Sequence, residues 1–79
     1  MKVFIPKRNR TIEANDAAGV LDVLREDGLL PPANLDLYKT ELRNRLSSWF
    51  GTVIETNDEA ELIDLLRKAG AVVVVEEEN

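Results

Sequence analysis

Lys7-Arg8-Asn9-Arg10 sets three cations and an amide in four consecutive residues, the one run in this chain suited to gripping a nucleic-acid backbone. No aromatic side chain is interleaved with them, so the chemistry on offer is phosphate contact without base stacking. Opposite charge gathers at Asp58, Glu59, Glu61 and Asp64 and again at Glu76-Glu77-Glu78. An acidic surface of that kind imitates phosphates and occupies a partner's basic groove. Asp58, Glu59 and Glu61 also stand where the positive end of a helix favours carboxylates, and the terminal run favours solubility. The third feature is apolar: Trp49 and Phe50 are adjacent, and exposed aromatics of this type anchor protein interfaces.

Catalytic chemistry has no comparable support. The chain contains no histidine and no cysteine, which removes the general base of neutral pH, thiol nucleophiles, disulfides and the commonest metal ligands. Ser47 and Ser48 have no histidine to activate them, and no Ser-x-x-Lys follows. The glycines are isolated and build no phosphate-cradling loop. Asp58-Glu59-Ala60-Glu61 lacks the Asp-x-Asp-x-Asp-Gly loop that wraps calcium. A carboxylate pair for glycoside hydrolysis needs a deeper cleft than a chain of this size readily forms. No enzyme activity, metal or cofactor is expected.

The elements that position these residues follow from periodicity and punctuation. The 79 residues, 44% of them hydrophobic and patterned in runs, predict a single domain over 1–79 held by packing alone or by packing with a partner subunit. Val3-Phe4-Ile5, closed by Pro6, predicts a short strand, with Thr11-Ile12-Glu13 extending it after a bend. Asn15 or Asp16 caps a helix with Ala17, Val20, Leu21 and Leu24 on one face, stopped by Gly28. Leu29-Leu30-Pro31-Pro32-Ala33 is a stiff elbow before a second helix. That helix carries an apolar face of Leu35, Tyr38, Leu42, Leu46, Trp49 and Phe50, with Lys39, Glu41, Arg43 and Arg45 opposite. The spacing puts Trp49 and Phe50 along the buried stripe, although so short a chain leaves room for one of them outside, as a self-association or partner surface.

After Gly51, Thr52–Glu55 reads as a strand, 58–69 as a helix, and Ala71-Val72-Val73-Val74-Val75 as a strand covered on both faces, which makes 52–76 a βαβ unit and 76–79 an acidic tail. The expected architecture is α/β, β-α-α-β-α-β: a three-stranded, mainly parallel sheet with helices packed on it. In the parallel register preferred for the first strand, Lys7 and Arg8 lie beside Glu76 to Glu78; an antiparallel one brings those acids towards Lys2.

Charge is uneven along the chain. Residues 1–40 carry six basic and six acidic side chains, whereas 41–79 carry four and nine, so the net charge of −5 resides in the second half. This disfavours general binding to nucleic acid or anionic membrane. The longest apolar run, Ala69 to Val75, is too short to span a bilayer, and the charges that follow the opening residues argue against a signal peptide. A cytoplasmic location is expected.

Glu41-Leu42-Arg43-Asn44-Arg45-Leu46 followed by Glu61-Leu62-Ile63-Asp64-Leu65-Leu66 resembles the paired helices of SAP or HeH/LEM-type modules, which bind DNA or chromatin-associated proteins. The resemblance covers under half the chain, and the strand-like 52–55 departs from the short turn of those modules. The opening and the Glu-rich ending are similar in style to small phage-encoded accessory proteins, which implies a phage or mobile-element source. The expectation is a non-catalytic macromolecule-binding protein: a small regulator, inhibitor or assembly factor with a protein partner, using Trp49 and Phe50 or the acids Glu59, Glu61 and Asp64. Two alternatives stand beside it. One is a nucleic-acid module using Lys7, Arg8 and Arg10; the other is a subunit of a homo-oligomeric or virion assembly paired through sheet edges.

Overall fold

Pro6 and Asn9 decide the first third of the chain. A computed structural model describes residues 1–28 and 30–76. In it β1 (Lys2–Ile5) runs into a single 3-10 turn at Pro6–Arg8, and Asn9 closes the turn in the left-handed region at φ 49°. Its N–H donates to the Pro6 carbonyl at 3.3 Å. Asparagine adopts that conformation at less cost than most residues, so the chain reverses at once. Thr11-Ile12-Glu13 therefore joins a separate antiparallel strand, β2 (Arg10–Glu13), and not an extension of β1. The register pairs Lys2 with Glu13, Val3 with Ile12, Phe4 with Thr11 and Ile5 with Arg10. The Met1 ammonium donates to the Ala14 carbonyl at 2.7 Å and so closes the open end of the hairpin.

The expected mainly parallel sheet is wrong. β3 (Val73–Glu76) also lies antiparallel to β1, giving the order β2-β1-β3. In the register Lys2 stands opposite Glu76 on one side and Glu13 on the other. Lys7 and Arg8 therefore lie far along β1 from Glu76; Glu77 and Glu78, their other expected partners, fall outside the described residues. The valine run misled because uninterrupted valines suit a strand buried on both faces. Helices cover only one face here: Val72 is buried, whereas Val73 and Val75 are about half exposed.

Residues 52–55 form no strand, so 52–76 is not a βαβ unit. The Ile54 N–H donates to Ser47 Oγ at 3.0 Å and spends on α2 the bond a sheet neighbour would have taken. The element order is ββαααβ, with α1 (Ala17–Glu26), α2 (Leu35–Phe50) and α3 (Glu59–Lys68) between the strands. Each helix begins on a side-chain cap. Asp16 accepts from the Gly19 N–H at 2.8 Å, Asn34 from Leu37 at 2.9 Å, and Asp58 from Ala60 at 3.4 Å. Gly51 stops α2 at φ 69°. The core is one cluster in which Val3 and Ile12 from the sheet and Val72 just before β3 meet Val20 and Leu21 of α1, Leu42 and Leu46 of α2, and Leu62, Ile63 and Leu66 of α3.

Candidate interaction groove

α2 is 16 residues long against 10 each for α1 and α3, and its last turn is exposed where the turns before it are buried through Leu42 and Leu46. Trp49 and Phe50 occupy that turn. The i, i+7 step from Leu42 to Trp49 keeps the indole on the apolar stripe, but the stripe outruns the elements that would cover it. Trp49 is 52% exposed and Phe50 39%, so both stand outside the buried stripe, where the sequence left room for one.

Beneath them lies a groove of about 750 Å³. Its floor is aliphatic (Ile5, Leu24, Leu66 and Val72), and Tyr38, Trp49, Phe50 and the Pro31-Pro32 elbow form walls. The C-terminal ends of α1 and α3 and the far end of β1 converge on the same space. Arg25 fastens the elbow by donating to the Pro32 carbonyl at 2.9 Å while holding Asp22 Oδ1 at 2.9 Å. Burial of the Tyr38 ring pushes its phenol pKa up, and the nearby Arg45 guanidinium partly opposes that rise.

The rim is cationic. Lys7, Arg8, Arg25 and Arg45 line the groove against two carboxylates, Asp27 and Glu41. Asp27 caps the C-terminal end of α1, where the helix dipole disfavours negative charge. Arg8 answers by donating to the Asp27 carbonyl at 2.9 Å and to Oδ2 at 3.2 Å, and Arg10 bonds Oδ1. Two of the three cations singled out for nucleic-acid contact thus tie the hairpin turn to α1. Among the described residues, Lys7 and Arg45 have no ion-pair partner.

The acids expected to share a surface with the aromatics lie elsewhere. Glu59 opens α3, at the opposite end from the groove. Its carboxyl is held below the usual range by its own backbone N–H and by Lys39, whose Nζ lies 3.0 Å away. Asp64 is held low by hydrogen bonds from Arg67 and Lys68, at 2.6 and 3.3 Å. Glu61 is exposed on the same helix. Glu59 and Asp64 line a second hollow of about 530 Å³ with Met1, Asp16 and Asp58. Trp49 and Phe50 are therefore brought together with Lys7 and Arg8, not with Glu59, Glu61 and Asp64.

Sequence reasoning missed Lys39, Asp27 and Arg45. Lys39 was expected on the solvent side, yet it is only 8% exposed and also donates to the Asn57 carbonyl at 3.2 Å. Its spacing of three and seven from Leu42 and Leu46 was the available signal. Asp27 and Arg45 carried none, because their roles depend on which helix ends meet. Among the described residues, no group of three or more acids stands where it would hold a metal ion, and no helix is long and apolar enough to cross a membrane. Comparison with family models, with curated proteins and with solved structures finds no match to this chain, so the SAP and HeH/LEM resemblance gains no support there.

Proposed function

We propose that this chain is a non-catalytic protein-interaction module, a small regulator, inhibitor or assembly factor, that docks a segment of a protein partner in the groove beneath Trp49 and Phe50. The observation that carries the reading is the exposure of two adjacent aromatics over an aliphatic floor at the end of an otherwise buried stripe. Large apolar side chains left in water beside a concave surface are what interface anchors look like in the free protein. The rival surfaces are weaker. Arg8 and Arg10 are committed to Asp27, which leaves the basic segment short of cations for a phosphate track. Both sheet edges are four residues long; β2 carries Arg10 and Glu13, and β3 is bulged at Val75 and meets Glu76. Charge and bulge both discourage edge-to-edge pairing with a second copy.

The test is retention of a protein partner from nuclease-treated lysate by the wild-type chain and by Trp49→Ala, Phe50→Ala and Leu37→Ala variants. Leu37 is 51% exposed on the first turn of α2, away from the groove. A partner held by the wild type and Leu37→Ala but lost by both aromatic variants supports the reading. A partner retained by all four, or lost only on nuclease treatment, refutes it.

A further inference from the structure

The groove differs in charge from the protein that contains it. The chain carries a net −5, yet four cations and two carboxylates line the groove. Arg8 is engaged by Asp27, and Arg25 by Asp22 and Glu26. Lys7 from the hairpin turn and Arg45 from α2 are left in the groove lining, both exposed, with Glu41 one helical turn before Arg45.

From this we infer that the occupant is a peptide segment of a protein partner in which bulky apolar side chains are flanked by carboxylates, the apolar groups seated on the floor and the acids facing Lys7 and Arg45. This rests on the docking reading above and adds the chemistry of what docks. The acidity of the rest of the molecule does not oppose it. Interactions between exposed charges are largely screened beyond about 8 Å at physiological salt, and the molecule measures 28 × 26 × 24 Å. Glu59 lies at the start of α3, about 10 Å of helix before Leu66, and Asp64 is held by Arg67 and Lys68. An occupant therefore senses the rim. A basic segment is repelled by the two uncommitted cations there, and a nucleic acid finds only those two for its phosphates, too few for a backbone track.

The experiment selects short random peptides displayed against the full chain, then titrates the enriched peptides in solution. Trp49 is the only tryptophan, so its emission reports the groove directly. Enriched sequences should combine aromatic or aliphatic residues with an excess of Asp and Glu, and each should blue-shift Trp49 emission. Lys7→Glu/Arg45→Glu, with folding verified by circular dichroism, should weaken them roughly tenfold or more and steepen discrimination against acid. Lys7→Ala and Arg45→Ala repeat the measurement with smaller effects should the double reversal fail to fold. Enriched peptides without excess acid that still shift Trp49 overturn the charge inference and leave the docking groove standing. Enriched peptides that bind without moving Trp49, or no enrichment at all, overturn both. A single-stranded oligonucleotide that shifts Trp49 in low salt and is released by added salt assigns the groove to nucleic acid and overturns the inference.

Discussion

Trp49→Ala separates a surface anchor from a core residue, and its cost follows from the exposure of the ring. An aromatic side chain buries up to about 250 Å² when fully covered. With Trp49 52% exposed, close to half that area, about 110 Å², is removed from water. At about 25 cal/mol per Å² this is worth no more than about 2.5–3 kcal/mol, and compactness of the unfolded chain lowers it to about 2 kcal/mol. No cavity forms, because the space beneath the indole is already open. Leu46, one turn earlier on the same stripe, is 0% exposed and is the internal standard. Leu46→Ala loses both transfer energy and packing around a sealed void, about 3–5 kcal/mol. For a chain of 79 residues the whole stability is about 4–12 kcal/mol, so Leu46→Ala should populate the unfolded state visibly where Trp49→Ala does not. Urea titrations followed by far-ultraviolet circular dichroism, which does not depend on the tryptophan, measure both. The reasoning fails if Trp49→Ala is as costly as Leu46→Ala, since the indole would then be closed over by structure.

Lys39 offers a second test: Lys39→Met keeps the buried stem and should cost under about 1 kcal/mol, whereas Lys39→Ala loses that packing and should cost about 2 kcal/mol. Equal costs by urea titration would place the contribution in the ion pair with Glu59 instead. Acid stability should follow Glu59 and Asp64, whose carboxyls lie below their ordinary values of 4.5 and 3.8. A depressed folded pKa adds stability above the unfolded value and loses it as pH falls through the folded one. With no histidine to titrate, urea midpoints should therefore be flat from pH 5 to 7 and fall below about pH 4, and Glu59→Gln and Asp64→Asn should each flatten that fall. A midpoint that drops between pH 7 and 5 would contradict the assignment.

Much of the helical framework was legible because its causes are local. Asp16, Asn34 and Asp58 cap helices through side-chain bonds to backbone two or three residues on, and Gly51 stops α2 by taking a left-handed conformation that other residues pay for. Val20, Leu21, Leu42, Leu46, Leu62 and Leu66 announce their burial through helical spacing. The sheet was not legible in the same way. The direction of β3 is set by its pairing with β1 at the other end of the chain, and a run of valines has the same composition whether one face is covered or two.

What the chain determines by itself is therefore its helices, most of its core and the absence of histidine and cysteine chemistry. Three outcomes needed the tertiary structure. Pro6 and Asn9 turned the chain back into a second strand, and β3 came to lie antiparallel on the other side of β1. Ser47 held Ile54 on α2 and removed an expected strand. The packing of the helix ends and the hairpin turn left Trp49 and Phe50 exposed over a groove whose lining includes Lys7 and Arg45. Periodicity reports which face of a helix is apolar, but only the packed neighbours decide how far along that face the cover extends.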